Sequence, residues 1–442
     1  MNKLAIIVVL FSACGILGGN AREDYNWEKD LQHRIKWDFT RTREDVVKYI
    51  KNYIPDVSES QLSKWEAVNA LEWMDIDGEK RYFKNAAPNL FRIDKKCRNI
   101  KNLKDGVSLS NSQRAAAKNI PEVIREASGP YCIGAPKRMR VDFILTVDAD
   151  AVPSGEKIRC WLPFPRTDIA RQTDVKLLYT SEKNYKVAPS KFKHSSVYME
   201  KKAQAGKPTV FKETFEYVSY GAWFNLKPEN IKPYNTESAL YKEFTSEREK
   251  HIVFTPELKA LAAELTEGIT NPLLKARSIF RYITANYPWA SAREYSTIDN
   301  IPMYVLKNHH GDCGQVSLLF ITLCRISGIP AHFQSGLMFH PNATNLHDWS
   351  EIYFEGIGWV PVDQSFGIPV YAHNDDETWF FLGGIDSWRM VANNDYGMDF
   401  YPKKKYPRSE TVDFQRGEVE WKGGNLYYDQ WDYHWDINYL TE

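Results

Sequence analysis

The chain has no surplus of either charge: 57 Lys and Arg stand against 57 Asp and Glu in 442 residues. Bulk electrostatics therefore give no reason to expect nucleic acid as a partner. Long apolar runs are scarce. Leu4 to Phe11 is too short to span a bilayer, and no other run approaches that length. No repeat or low-complexity tract stands out. Without a phosphate loop or nucleotide fingerprint, a nucleotide-dependent enzyme has no signature here. Cysteine is sparse, at six residues. Besides Cys14 there are Cys97, Cys132, Cys160, Cys313 and Cys324, an odd number, so at least one thiol is free. Cys313 and Cys324 share one predicted helix, roughly 16 Å apart along its axis and beyond disulfide reach. Cys324 is expected as a core thiol. Cys97 and Cys132 flank one segment and are candidates for pairing.

What is present begins with the N-terminus. Asn2-Lys3, the apolar run and the small residues after it form a signal-peptide pattern, so export is expected. Phe11-Ser12-Ala13-Cys14-Gly15 resembles a bacterial lipobox, which would put a lipid on Cys14 and hold the protein at the cell envelope, in the outer membrane or periplasm. Gly19-Asn20-Ala21 offers ordinary cleavage and secretion instead. The short apolar run favours the lipoprotein.

The length suggests two to four domains. After a leader over 1–21, residues 22–136 read as mostly helical. Thr42 and Asp45 precede Val46, Val47 and Ile50 and mark one helix, and the capping box Ser58-x-x-Gln61 starts the next. From 137 to 233 the period changes to that of a β-sandwich-like domain. Val141, Phe143, Leu145 and Val147 alternate with polar residues, as do Ile158, Cys160 and Leu162, and Pro153-Ser154-Gly155 between them predicts a hairpin. Residues 234–400 form the expected catalytic core. Thr255-Pro256 and Asn271-Pro272 open helices. A further helix runs from Cys313 to Ser327, closed by Gly328 and Pro330. Strands follow at Ala331 to Phe339, His347 to Phe354 and Trp359 to Val362. Residues 401–442 are a C-terminal extension whose alternating aromatics are expected to add strands around the core. The fold class is α+β.

The chemistry centres on Gly311-Asp312-Cys313-Gly314-Gln315. Asp312 suits the N-cap and Gln315 the N3 position, which makes Cys313 the first helical residue. There the free N–H groups and the helix dipole favour an anion and lower a thiol pKa. The same N–H groups can receive an oxyanion. His347 and Asp363 lie almost symmetrically about the turn Glu355 to Gly358, so the carboxylate can hold one imidazole nitrogen and leave the other for the thiol. Trp349 shares the histidine's face and would wall the cleft. A lone cysteine at a helix start is more often structural than catalytic; the order Cys, His, Asp and the capped helix shift that balance.

Gly311-Asp312-Cys313-Gly314, Cys324 to Ala331, His347-x-Trp349-x-Glu351-x-Tyr353 and Gly358-Trp359-Val360-Pro361-Val362-Asp363 together resemble the core of the bacterial transglutaminase-like superfamily, over roughly residues 250–395. The preceding parts resemble exported Bacteroides-type proteins carrying that core. The resemblance implies a papain-like fold, with Cys313 as nucleophile, His347 as general base and acid, and Asp363 as orienter. It also implies an aromatic oxyanion donor upstream, for which Tyr287 and Trp289 are the candidates. The expected function is an exported cysteine hydrolase acting on a peptide, protein or glycan-linked amide through a thioester. The alternatives are a transglutaminase with an amine acceptor, or a binding or scaffold protein whose chemistry is unused.

No cofactor or metal is expected. His309-His310-x-Asp312-Cys313 holds ligand types but crowds one loop without a second cluster. Lys403-Lys404-Lys405 reads as a solvated loop, and Asn342-Ala343-Thr344 is a formal sequon. Aromatics, at 14%, suit a sugar groove less often than an aromatic-rich core.

Overall fold

The computed structural model describes residues 25–440; the leader, with Cys14 and Ala21, lies outside the described residues. The helices anticipated at Thr42 and Ser58 start there, after one helix capped by Asn26. α1 (Trp27–Asp38), α2 (Arg43–Lys51) and α3 (Glu59–Ala67) begin on Asn26, Thr42 and Ser58, the last two in reciprocal capping boxes. β1 (Trp73–Ile76) and β2 (Glu79–Tyr82) form a hairpin on Asp77-Gly78, both at positive φ as a tight hairpin turn requires. α4 (Ala86–Ile93) and α5 (Lys95–Asp105) complete this unit, whose apolar cluster runs from Ile35 to Cys97. α6 (Asn111–Glu126) turns Ala116, Ile120 and Val123 into a different cluster, shared with the core around Cys324.

The β region contains β3 (Ile133–Val147), β4 (Lys157–Pro163), β5 (Gln172–Thr180), β6 (Tyr185–Val187), β7 (Ser196–Lys202) and β8 (Thr209–Trp223). Then come α7 (Ala239–Phe244), α8 (Pro256–Leu265), α9 (Pro272–Asn286), α10 (Ile301–Asn308) and α11 (Cys313–Ile326). Next are β9 (Ala331–His340), β10 (Ala343–Phe354), β11 (Gly358–Val362), α12 (Asp375–Thr378), β12 (Gly384–Ile385) and β13 (Arg389–Asn393). The tail supplies β14 (Glu418–Trp421), β15 (Gly424–Asn425) and β16 (Trp431–Leu440).

The core sheet is antiparallel in the order β11-β10-β9-β13, and α11 packs against β9 and β10. Every α11 residue from Gly314 to Arg325 is buried, so this helix is a central strut with neighbours all round. The α+β expectation holds: a cysteine-bearing helix lies on an antiparallel sheet.

Four expectations are corrected. β3 and β4 are not a hairpin: β3 pairs with β8 and β16, whereas β4 pairs with β7 and β14 in the other sheet. Their alternating apolar residues meet across a sandwich, Val141, Phe143 and Leu145 on one side and Ile158, Cys160 and Leu162 on the other. Alternation marks a half-buried strand but not its partner. The tail likewise completes the sandwich rather than surrounding the core. β16 lies along β3, with Trp435 opposite Phe143 and Ile437 opposite Val141. Finally, Lys404 is buried, with Nζ 3.1 Å from the Pro407 carbonyl and 3.5 Å from Glu418, so of the lysine run only Lys403 and Lys405 are solvated. The anticipated pairing of Cys97 with Cys132 is also absent; all five described cysteines are free thiols.

Candidate active site

The start of α11 is built as its sequence dictates. The Asp312 carboxylate accepts from the Gln315 N–H at 3.1 Å, and Gln315 Oε1 accepts from the Asp312 N–H at 3.2 Å. Tyr295 Oη adds a 2.6 Å bond to the same carboxylate. Cys313 is thereby fixed as the first helical residue.

His347 and Asp363 meet. β10 and β11 pair Ser350 with Val362, a register that puts Asp363 across from Trp349 and one same-face step from His347. The diagonal is bridged by a 2.8 Å bond from His347 Nε2 to Asp363 Oδ2. Asp363 Oδ1 accepts the N–H groups of Ser365 and Phe366, both at 3.1 Å, and Arg389 Nη1 donates to Oδ2 at 2.8 Å. Arg389 also donates from Nε to Asp386 at 2.8 Å, and Asp386 lies 2.9 Å from His340 Nε2. Asp363, Asp386, Arg389 and His340 are all fully buried. Behind the imidazole, Trp349 lies at 6.1 Å between ring centroids and 25°, with its indole N–H donating to Gln334 at 2.7 Å. Phe366 meets the ring edge-on at 5.6 Å.

Burial lifts the Asp363 carboxyl, but His347 and Arg389 outweigh it and the group stays below its usual range. Burial lowers His347, against the pull of Asp363, so the imidazole is neutral at pH 7. With Nε2 engaged by Asp363, Nδ1 is the nitrogen left over.

The sulfur is arranged differently from the sequence-based expectation. Cys313 Sγ donates to Asp348 Oδ2 at 3.4 Å, and among the described residues no hydrogen bond joins it to His347. The thiol pKa is correspondingly pushed well above its ordinary value, by burial first and then by Asp348 and Asp312. The anticipated lowering by the helix N-terminus is thus reversed: two carboxylates and desolvation outweigh the dipole. Gln415 Nε2 holds Asp348 in place, donating to Asp348 Oδ1 at 2.8 Å and to the His347 carbonyl at 2.9 Å.

Cys313 and His347 line one cavity of about 730 Å³. Of the two oxyanion candidates, Trp289 lines it and is 44% exposed, whereas Tyr287 is buried, stacked on His309, and is not part of the wall. Carboxyl groups dominate the charge. Burial raises Asp312 to about 7 against the bonds from Tyr295 and Gln315. It raises Glu410 to about 8 with help from Asp413, and Asp413 to about 6 against Arg416. Asp348 is pushed well up, by burial and then by Asp413 and Asp312.

Among the described residues no three His, Cys, Asp or Glu side chains converge as metal ligands do. The His309-His310 pattern has another use: His309 ends α10 in the left-handed region, and His310 is buried with neither ring nitrogen hydrogen-bonded.

A helix-borne thiol beside a sheet carrying a His–Asp pair is the framework of the papain-like α+β class. Residues 259–364 match the family model of the Transglutaminase-like superfamily, so this segment is similar to that superfamily. The Bacillus subtilis (strain 168) protein YebA, itself uncharacterized, is 25% identical over a segment covering 25% of this chain. The chain spans only 17% of the length of that curated relative. Among solved structures, a Cytophaga hutchinsonii protein described provisionally as a cysteine protease shares 14% identity at a TM-score of 0.45, covering 70% of this chain and 93% of its own. The periplasmic domain of TgpA from Pseudomonas aeruginosa shares 15% at a TM-score of 0.30, over 56% of this chain and 91% of its own.

Proposed function

We propose that the protein is an exported cysteine hydrolase that cleaves peptide or other amide bonds through a thioester on Cys313, with His347 as base and acid and Asp363 as orienter. The observation that carries this reading is the 2.8 Å His347–Asp363 bond on the cavity that also receives Cys313. In the proposed reaction the thiol proton passes to His347 Nδ1 and the sulfur adds to the carbonyl carbon. The resulting oxyanion faces the free N–H groups at the start of α11. Collapse breaks the C–N bond, and the imidazolium gives its proton to the leaving amine. Water, activated by His347, then hydrolyses the thioester and frees the sulfur. For this sequence Cys313 must turn from Asp348 to His347, a change between staggered side-chain rotamers. The signal-peptide pattern at the N-terminus supports export, with a lipid on Cys14 as the membrane attachment.

The thiol's bond to Asp348 favours a second reading, a binding or scaffold protein with its chemistry unused. Alkylation with iodoacetamide at pH 7 separates the two. The hydrolase reading expects Cys313 to react faster than Cys132, the other partly exposed thiol, and Cys313→Ala to abolish amide cleavage. Slower labelling of Cys313, with no cleavage, would establish the scaffold. Incubation of a glutamine peptide with an added amine tests the acceptor: amine incorporation in preference to release of free acid would make the protein a transglutaminase.

A further inference from the structure

Five carboxyl groups, Glu294, Asp312, Asp348, Glu410 and Asp413, line the cavity that holds Cys313. The two arginines on the same wall are already matched. Arg293 Nε lies 3.3 Å from Glu72, and Arg416 Nη1 lies 3.2 Å from Glu294. Arg416 Nε approaches Glu410 Oε1 only to 3.6 Å, beyond hydrogen-bond distance. Glu410 is 3% exposed. Its Oε2 accepts the N–H groups of Gln415 and Arg416 at 2.7 and 3.0 Å, while its buried Oε1 has no hydrogen-bond partner. Asp413 is 8% exposed and lines the cavity, yet among the described residues no side-chain hydrogen bond or ion pair reaches its carboxylate.

A buried carboxylate without a partner is expensive, and a folded chain ordinarily pairs it or replaces it. Among the described residues Glu410 Oε1 and the Asp413 carboxylate are left without a hydrogen-bond partner, and their charges, suppressed by burial, are restored and matched if a positive charge arrives with the ligand. The charge need not be a metal ion, because no three of these carboxyls converge on a point. A primary ammonium has three donors and can serve carboxylates that stand apart. Asp348 touches the sulfur itself, at 3.4 Å. The group bonded to that sulfur during catalysis is the acyl part of the substrate, so the acyl residue is the one that reaches these carboxylates.

We infer that the cleft selects amide substrates whose acyl residue carries a free primary ammonium group, either the α-amine of a chain terminus or the amine of a side chain. This rests on the hydrolase reading for its substrate, but the charge preference of the cleft is measurable without turnover.

The first experiment labels the intact protein with 2-aminoethyl methanethiosulfonate, a cation, or 2-sulfonatoethyl methanethiosulfonate, an anion. Each forms a mixed disulfide with the sulfur, releases methanesulfinate and leaves the thiol proton to solvent. Peptide mass mapping follows Cys313, with Cys132 as the internal reference. The expected result is a cation-to-anion rate ratio at Cys313 at least 30-fold above that at Cys132. Asp413→Asn and, independently, Glu410→Gln should each cut that excess by at least fivefold. The second experiment compares alanine p-nitroanilide with its Nα-acetyl form, and Nα-acetyl-lysine p-nitroanilide with its Nε-acetyl form. At least tenfold higher kcat/KM for the free amine is expected in one arm, and that arm identifies the source of the ammonium. Equal cleavage of free and blocked forms would overturn the inference and leave the hydrolase standing. A Cys313 ratio no higher than that at Cys132 would overturn it directly. A high ratio with no cleavage of any amide would support the cation-binding cleft and count against the hydrolase.

Discussion

Replacing Arg389 with methionine tests whether the buried network behind His347 is organised by charge. Arg389 is fully buried, with its guanidinium 2.8 Å from both Asp363 and Asp386. Methionine fills much of the same volume, so the cavity contribution is small and the loss is electrostatic. Removing one partner of a buried ion pair costs about 3–5 kcal/mol. Asp363 retains His347 and two backbone N–H groups, and Asp386 retains His340, which places the expected loss at the lower end, about 3 kcal/mol. The sign of the pH dependence follows from the same contacts. Both carboxyls are held below their ordinary range, against burial, with Arg389 among the causes. Their contribution is therefore present above the unfolded carboxylate pKa of about 4 and is lost as pH falls through the lower folded values. Without Arg389 the carboxyls take up protons in milder acid, so the difference between wild type and variant narrows below about pH 4. Urea unfolding followed by tryptophan fluorescence at pH 7 and in acid reads both effects. A double variant, Arg389→Met with Asp386→Asn, should recover part of the loss by removing one orphaned charge. A loss below about 1 kcal/mol at pH 7, or one unchanged by acid, would refute the electrostatic account.

Asp348→Asn removes the carboxylate against the sulfur and lets the thiol pKa fall; one unit is a tenfold rise in thiolate. Alkylation of Cys313 by iodoacetamide at pH 7 should accelerate at least about tenfold, and an unchanged rate would show that Asp348 does not set the thiol's state. Wild-type stability should rise as pH falls from 8 towards 6.5, because Glu410 and Asp312, raised to about 8 and about 7, take up protons in the folded chain first. Below that window the buried His194, His251, His310 and His347, all with lowered pKa, oppose the gain. Thermal unfolding across this range checks the slope, and a Tm that falls between pH 8 and 6.5 would contradict it. Gly336→Ala would set a Cβ 1.9 Å from the Met390 carbonyl oxygen, backbone against backbone across the β9–β13 pair. The expected loss is about 3 kcal/mol, at the upper end for overpacking, and an unchanged Tm would refute the close approach.

What the sequence discloses is local or nearly so. The Asp312–Gln315 capping box involves neighbours in the chain, and it stands as read, so Cys313 is the first helical residue. The His347–Asp363 contact crosses one short turn, and symmetry about that turn locates it to within one same-face step. Strand existence is legible for β3 and β4 because alternation is a property of each strand alone. Their pairing is not, since facing a partner sheet and lying beside a partner strand leave the same pattern. The state of the thiol differs from the sequence-based expectation for a related reason. A helix N-terminus lowers a thiol pKa only if nothing stronger is nearby, and Asp348 sits one position beyond His347. Its role depends on which β10 face meets α11, a fact of packing. Arg389, Glu410 and Asp413 have no local signal at all; each is an ordinary charged residue until the fold closes around it.

The C-terminal segment links these non-local pieces into one cause. β14 is held to β4, so the stretch from 409 to 416 that leads into it is anchored at its C-terminal end by one sheet of the sandwich. From that stretch Gln415 reaches the cleft and donates to both the His347 carbonyl and Asp348. Those two bonds fix the Asp348 carboxyl against the Cys313 sulfur, and the same stretch brings Glu410 and Asp413 onto the cavity wall. Burial and then Asp348 raise the thiol pKa, and Asp348 is oriented by a side chain from outside the transglutaminase-like segment 259–364. A cation entering the cleft would compete for Asp348 and weaken its hold on the sulfur, freeing Cys313 to turn towards His347. On the hydrolase reading the sandwich shapes the proposed active site, and the proposed ammonium preference and release of the Cys313 thiol have a single physical origin.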